Sequence, residues 1–140
     1  MAYQVIDGVL DLSNKNLKEI SKEIFDLVGI TELELSFNQI TSLLSDIGKL
    51  VNLKKLDVSS NQMTSLPSAI CDGSANGVGG IGKLVNLKKL SVSNNRLTSL
   101  PSEIGKLIDL KQFTFDDNPL EYIPPEVREL FNQMGIDVPF

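Results

Sequence analysis

The feature that most constrains the fold is an apolar motif that recurs five times along the chain. Its first strand residue is Leu10, Leu33, Leu56 and Leu90, and then Phe113. Three of the four intervals are 23 residues long, and the interval from Leu56 to Leu90 is 34. A repeat this short can bury its apolar face only against neighbouring repeats. The period therefore predicts a solenoid with one continuous core and a broad surface, rather than an enclosed catalytic pocket.

Each repeat carries the signals of a strand, a turn and a return segment. Leu-x-Leu alternates with period two, which predicts a short strand with both leucines on one face, and stacked repeats then form a curved parallel sheet. An asparagine follows each of the last four strands and can bond the backbone of neighbouring turns. These asparagines are Asn38, Asn61, Asn95 and Asn118. The return segment, Leu-Pro-Ser-x-Ile-Gly-Lys-Leu in its clearest form, predicts a helical or 3₁₀ turn entered at Pro67, Pro101 or Pro124.

From Val9 to about Leu130 the pattern resembles the leucine-rich repeat family. The consensus Leu-x-x-Leu-x-Leu-x-x-Asn-x-Leu-x-x-Leu-Pro-x-x-Ile-Gly-x-Leu is most similar to the intracellular, Ras-group class. Lys15 at the ladder position of the first copy and Leu44 in place of the proline in the second depart from it. The resemblance implies a horseshoe-shaped α/β solenoid with a concave parallel sheet. It also implies a binding scaffold, since some members of that class bind Ras-like GTPases.

Both ends of the predicted solenoid carry capping signals. Asp7-Gly8 lies between two apolar pairs, which predicts a hairpin and an antiparallel strand over residues 3–6. Residues 125–134 predict an amphipathic helix at the other end. Its apolar side chains are Val127, Leu130, Phe131 and Met134, and Ile136, Val138 and Phe140 extend the cover. We therefore expect one domain over residues 1–140, with repeats starting near residues 7, 30, 53, 87 and 110.

The variable positions beside the strand leucines are the candidate binding site. Side chains between and after the two leucines alternate onto the concave face. They give an acidic amino-terminal half, two lysines near the middle and one aromatic ring, a surface suited to a partner with basic and apolar anchors. The candidate partner-binding residues are Asp11, Glu32, Glu34, Phe37, Lys55, Asp57 and Lys89. The alternative is a solvated sheet face that binds nothing in particular.

The long interval is explained by an insertion in the third repeat. Removing residues 70–80 restores the 23-residue period, so we expect a Gly-rich surface loop on the convex side. Residues 77–83 match the Gly-x-x-x-x-Gly-Lys phosphate loop, but Leu84 replaces its magnesium-binding hydroxyl residue. Residues 82–86 also duplicate residues 48–52, so the Gly-Lys pair belongs to the repeat. Nucleotide binding is the weaker interpretation.

Two further features of the insertion have weak support as sites. Residues 72–77 copy the first half of a calcium loop, but Lys83 stands where the bidentate glutamate is required. Cys71 has no histidine or second cysteine to activate it, because the chain contains no His and one Cys. We therefore expect no metal and no cofactor.

Charge and composition narrow the choice of partner. The net charge of −5 disfavours nucleic acid and anionic membranes, which both select basic surfaces. One cysteine, no signal peptide and no long apolar run predict a cytoplasmic protein. We also expect a monomer, although no residue pattern specifies the oligomeric state. No residues assemble a nucleophile, a base and an oxyanion donor, so we do not expect an enzyme. The function predicted is a protein-interaction scaffold, for a partner such as a small GTPase. The alternative is a structural or model repeat protein without a specific partner.

Overall fold

The computed structural model describes residues 3–67 and 80–137. Within them the chain forms a five-stranded parallel sheet in which the strands follow chain order. The strands are β1 (Val9–Asp11), β2 (Glu32–Glu34), β3 (Lys55–Asp57), β4 (Lys89–Ser91) and β5 (Gln112–Thr114). Leu10 pairs with Leu33, Leu33 with Leu56, Leu56 with Leu90 and Leu90 with Phe113. The predicted parallel solenoid is confirmed, with each repeat in the expected register.

The core runs through all five repeats. The first strand residue of every repeat is buried, and so is the second in repeats two to four, where it is Leu35, Val58 and Val92. Leu12 and Phe115, the equivalent residues at the two ends, are partly buried and pack against the same core. Each repeat therefore covers the apolar face of the next, as a repeat of this length requires.

The convex side consists of short 3₁₀ segments. They are Lys22–Asp26, Ser45–Lys49, Ile81–Lys83 and Ser102–Lys106. Pro101 precedes the last of them with φ −70° and ψ 144°. Leu44 replaces proline before the second but has nearly the same backbone, φ −68° and ψ 149°. The missing proline therefore leaves the turn unchanged, because the stacked neighbours impose its geometry.

The predicted asparagine ladder is present in full. Asn61 lies between two repeats, where its Oδ1 accepts a hydrogen bond from the Ile40 amide at 3.0 Å. Its Nδ2 donates to the carbonyls of Leu35 and Val58 at 2.9 and 3.0 Å. Asn38, Asn95 and Asn118 make the equivalent bonds to the repeats before them. Each amide therefore joins the turn of one repeat to the strand of the one before it.

The amino-terminal hairpin is shorter than predicted. Asp7 and Gly8 form its turn with φ of 53° and 80°, and Ile6 and Val9 exchange two backbone hydrogen bonds. Antiparallel pairing ends there, so the predicted strand over residues 3–6 is wrong. Tyr3 instead packs against the end of the core. Burial of the Tyr3 side chain against the core is favourable, and it takes the place of further pairing along β1.

The carboxyl-terminal cap is the predicted amphipathic helix, α1 (Pro125–Met134). Val127, Leu130 and Phe131 are buried beneath it, while Met134 and Ile136 are partly buried. The Phe131 ring stacks on that of Phe115, with centroids 5.1 Å apart, and is tilted against Phe113 at 5.4 Å. The helix ends at Gly135 in the left-handed region, φ 73°. Val138 and Phe140 lie outside the described residues.

The predicted insertion at residues 70–80 falls almost wholly outside the described residues. At its borders, the Ile81 amide donates to the Pro67 carbonyl at 2.9 Å. Strands β3 and β4 on either side pair in the same register as the other strands. The division of residues 1–140 into one domain with an insertion stays a prediction.

Candidate functional site

The seven predicted binding residues lie on three neighbouring strands and one adjoining turn, with Lys89 on a fourth strand. Six of them fall in two columns across the sheet, because the register aligns Glu32 with Lys55 and Lys89 in one column, and Asp11 with Glu34 and Asp57 in the other, which we call the acidic column. Side chains at these positions alternate with the buried leucines and so face away from the core. The structure therefore places these side chains on one surface, as the sequence predicts, and their role in binding stays a prediction.

Two of the aspartates are oriented by the serine two residues later. Asp11 Oδ1 accepts from both the hydroxyl and the amide of Ser13, at 2.6 and 3.0 Å. Asp57 repeats this arrangement with Ser59, at 2.6 and 2.9 Å. The Ser13 hydroxyl bond, followed by its amide bond, lowers the pKa of the Asp11 carboxyl below its usual value. Ser13 and Ser59 therefore orient the Asp11 and Asp57 carboxylates, a role that the sequence analysis did not assign to them.

The acidic and basic parts of the site are joined by an ion pair. Lys55 Nζ lies 2.9 Å from Glu34 Oε1, across adjacent strands. This hydrogen bond, together with the charges of Glu34, Glu32 and Asp57, raises the pKa of Lys55. Glu34 and Lys55 therefore already neutralise each other in the free protein. A partner that uses either must share the pair or break it.

Phe37 is the least favourably placed residue of the set. Its residue surface is 64% exposed and its φ is 57°, in the left-handed region. The same turn position in the other repeats has the same conformation, with φ between 56° and 58°, and is occupied by Asn14, Ser60, Asn94 and Asp117. Asparagine and aspartate tolerate this backbone, whereas a bulky ring there is strained. Exposure of the Phe37 ring and strain in its backbone both cost free energy in the isolated chain.

The middle of the sheet contains a small recess of about 170 Å³. Three of the predicted residues line it, namely Lys55, Asp57 and Lys89. Ser91 and Thr114 line it as well, and the Thr114 hydroxyl donates to that of Ser91 at 2.7 Å. The sequence reasoning missed these two hydroxyl residues. Their place in the acidic column was a usable signal, because they face the same surface as Asp57.

A larger recess, about 1170 Å³, lies at the amino-terminal end, and Asp11 is the predicted site residue that lines it. Its wall combines Tyr3 and Ile6 from the hairpin with Leu10, Leu17 and Ile20 from the first repeat. It lies beside the point where antiparallel pairing with β1 ends among the described residues, at Ile6.

The convex surface explains the glycine of the Gly-Lys motif. A Cβ at Gly82 would lie 2.9 Å from Glu103 Cβ, and one at Gly105 would lie 3.0 Å from the Glu126 carbonyl oxygen. The next repeat and the cap helix α1 therefore approach these glycines so closely that a Cβ at either position would overpack the contact. This contact supports assigning Gly82-Lys83 to the repeat. Residues 77–79 of the phosphate-loop match, the calcium-like motif at residues 72–77 and Cys71 lie outside the described residues.

Within the described residues, 3–67 and 80–137, no three or more Cys, Asp or Glu side chains are grouped so as to hold a metal ion. No helix in the same ranges has the length and apolar character to cross a membrane.

Two family models described as leucine rich repeat match the sequence, one over residues 9–63 and the other over residues 86–107. The chain therefore belongs to the leucine-rich repeat family. Comparison with curated proteins gives no significant match.

Solved structures of other repeat proteins share the fold. A leucine-rich repeat protein of Leptospira interrogans is similar with a TM-score of 0.63 and 31% identity, over 86% of this chain and 34% of that one. Internalin C2 of Listeria monocytogenes gives 0.68 and 23%, over 87% and 47%. The leucine-rich repeat domain of APL1B gives 0.69 and 24%, over 82% and 33%. The last two identities show the fold alone, and the chain spans a third to a half of each matched structure.

Proposed function

We propose that this chain is a protein-binding scaffold whose partner contacts the concave face at Phe37 and the charged columns beside it. The observation that carries the proposal is Phe37, an exposed ring on a left-handed backbone. Aromatic side chains of this kind are common anchors at protein interfaces. Contact with a partner would bury the ring and offset the free energy that its exposure costs.

The surrounding charges favour a partner with both signs of charge. Asp11, Glu32 and Asp57 suit basic groups, and Lys89, without a carboxylate within 4 Å among the described residues, suits an acidic group. The Glu34–Lys55 pair lies between them. Complementary charges of this kind raise specificity and association rate more than affinity.

Within the class of protein partners, a small GTPase is the first candidate. This finer proposal is supported by the similarity of the 23-residue consensus to the Ras-group class. A cytoplasmic location and a monomeric state stay predictions that accompany it.

The test is affinity capture from cell lysate with the wild-type chain and two variants, Phe37→Ala and Glu34→Lys. Proteins captured through the concave face are expected to fall at least about tenfold with Phe37→Ala, the loss expected for an aromatic anchor. Tyr122→Ala is the matched control, because Tyr122 is an exposed aromatic residue outside the five strands. Capture that is unchanged in both concave variants would refute the site. Capture of a GTPase that depends on its bound nucleotide would support the finer proposal.

A further inference from the structure

Four stacked turns precede strands β2 to β5, at the end of the strands opposite to Phe37. These turns present exposed aliphatic side chains. Each turn is closed by a backbone hydrogen bond of 3.0 to 3.1 Å, for example from the Leu53 amide to the Leu50 carbonyl. The first residue at each tip is aliphatic, and we call the set the aliphatic stripe: Val28, Val51, Val85 and Ile108. The three valines are 45% to 52% exposed, and Ile108 is 76% exposed.

The first three turns of the stripe are joined by side-chain amides that the sequence reasoning missed. Asn52 Nδ2 donates to the Val28 carbonyl and Asn86 Nδ2 to the Val51 carbonyl, each at 2.9 Å. Neighbouring strands in a sheet lie about 4.8 Å apart, so the stripe is about 14 Å long. The fourth turn has Asp109 at the equivalent position, and its carboxylate cannot donate this bond.

Two rows of lysines flank the last three members of the stripe. One row precedes the turns and the other follows them, and all six lysines are exposed. They are Lys49, Lys83 and Lys106 in the first row, and Lys54, Lys88 and Lys111 in the second. The second row is aligned by its own backbone, because the Lys88 amide bonds the Lys54 carbonyl and the Lys111 amide bonds the Lys88 carbonyl, both at 2.8 Å. Among the described residues, only Lys49 of the six has a carboxylate within 4 Å, that of Asp46.

This arrangement costs free energy in the isolated chain. Valine and isoleucine at an exposed turn tip supply none of the properties for which turn residues are selected, and they lie outside the core. Like charges at equivalent positions of neighbouring repeats repel one another. In a chain with a net charge of −5, nearly half of the 13 basic residues lie in these two rows. Both costs fall when an acidic, apolar surface covers the edge.

We propose that the aliphatic stripe and its two lysine rows bind an acidic amphipathic segment of a protein partner. Apolar side chains of the segment lie along Val51, Val85 and Ile108, and its carboxylates face the lysine rows on both sides. These three members extend over about 10 Å, which a helix of about seven residues spans, since each residue adds about 1.5 Å. This surface is distinct from the concave site, so it does not depend on the proposed function.

The charges beyond the rows favour a narrow segment over an anionic membrane. In the first turn the two lysine positions are Asp26 and Thr31, and Asp109 lies beside Ile108. A planar lipid surface would meet these acidic groups together with the lysines, whereas a helix along the stripe contacts the lysine rows first. A membrane is therefore the competing outcome of the test.

The probe is a fluorescein-labelled helical peptide with a leucine stripe flanked by glutamates on both sides, titrated with the full chain by fluorescence anisotropy. Its control replaces every glutamate by lysine. We expect the acidic peptide alone to bind, with affinity falling as salt rises. Reversing the lysines on either side of Val85, as Lys83→Glu with Lys88→Glu, is expected to weaken binding about tenfold. Val85→Ser is expected to weaken it several-fold.

Two matched variants separate the possible outcomes. Lys22→Glu reverses an exposed lysine that precedes the first turn and lies outside the rows, and it is expected to leave binding unchanged. Phe37→Ala is also expected to leave it unchanged, which separates this edge from the concave site. Equal binding of both peptides, or no loss in the double lysine variant, would overturn the proposal. Binding to phosphatidylserine vesicles, without peptide binding and with the same sensitivity to the lysines, would overturn it in favour of a membrane.

Discussion

The asparagine ladder predicts a large loss of stability when one central amide is removed, and Asn61→Ala is the sharpest case. The Asn61 residue is 9% exposed, and its Oδ1 accepts a hydrogen bond from the Ile40 amide. Its Nδ2 donates to the carbonyls of Leu35, Val58 and Ser59. Alanine removes all of these bonds and leaves space that a single methyl group does not fill.

The neighbouring asparagines decide the size of the loss. Asn38 also donates to the Leu35 carbonyl, and Asn95 also donates to that of Val58. These two carbonyls therefore keep one partner each in the variant. The Ile40 amide keeps none, and an unsatisfied buried donor costs about 1–3 kcal/mol. With the net loss of the amide bonds, we expect the free energy of unfolding to fall by about 2–4 kcal/mol.

The measurement is urea unfolding followed by far-ultraviolet circular dichroism, because the chain has no tryptophan to report by fluorescence. For a chain of this size a loss of 3 kcal/mol lowers Tm by about 6–12 °C. Asn52→Ala is the control, since it removes a single exposed amide bond, to Val28, and is expected to cost about 0.5–1 kcal/mol. If the two variants lost equal stability, the ladder would not be what joins the repeats.

Three other perturbations test separate parts of the structure. Phe37→Asn is expected to change the free energy of unfolding by no more than about 1 kcal/mol, because relief of left-handed strain offsets the lost apolar contact; a larger loss in the same urea assay would show a structural role. Gly82→Ala is expected to lower the free energy of unfolding by about 1–3 kcal/mol, because the added methyl group overpacks the contact with Glu103. Gly29→Ala is the control and is expected to leave stability unchanged, because no neighbouring side chain or backbone lies within 4 Å of the added methyl group. The hydrogen bond from the Ser93 hydroxyl lowers the pKa of the Asp116 carboxyl. The ionised carboxylate therefore adds to the free energy of unfolding above the ordinary pKa of 3.8, and this stabilisation is lost as pH falls through the lower pKa of the folded state. Asp116→Asn is therefore expected to flatten the acid limb of a stability-versus-pH curve, and a steeper limb would contradict this sign.

Most of the scaffold could be predicted from the sequence because each structural position of the repeat recurs in several copies. A misleading residue in one copy is outweighed by the other copies. Leu44 shows this, since it adopts the backbone of the proline that it replaces. The same redundancy shows that Gly82 belongs to the repeat, and its contact with the next repeat gives the physical reason.

The parts that sequence reasoning missed are those without a second copy or without a hydrophobic signal. The amino-terminal segment occurs once, and its strand was inferred from a turn signal that fixes only the pairing of Ile6 with Val9. The left-handed backbone at Phe37 was hidden because phenylalanine seldom adopts it, although Asn94 and Asp117 at the same position are typical of it. The ion pair between Glu34 and Lys55 depends on rotamers, which periodicity does not specify.

The two proposed binding surfaces lie at opposite ends of the strands. Phe37 follows β2, while the turn that contains Val51 precedes β3. Because all five strands are parallel, these positions lie on opposite edges of the sheet. Each edge can then be altered without disturbing the other, and loss of one binding activity with retention of the other would show two independent interfaces on one scaffold.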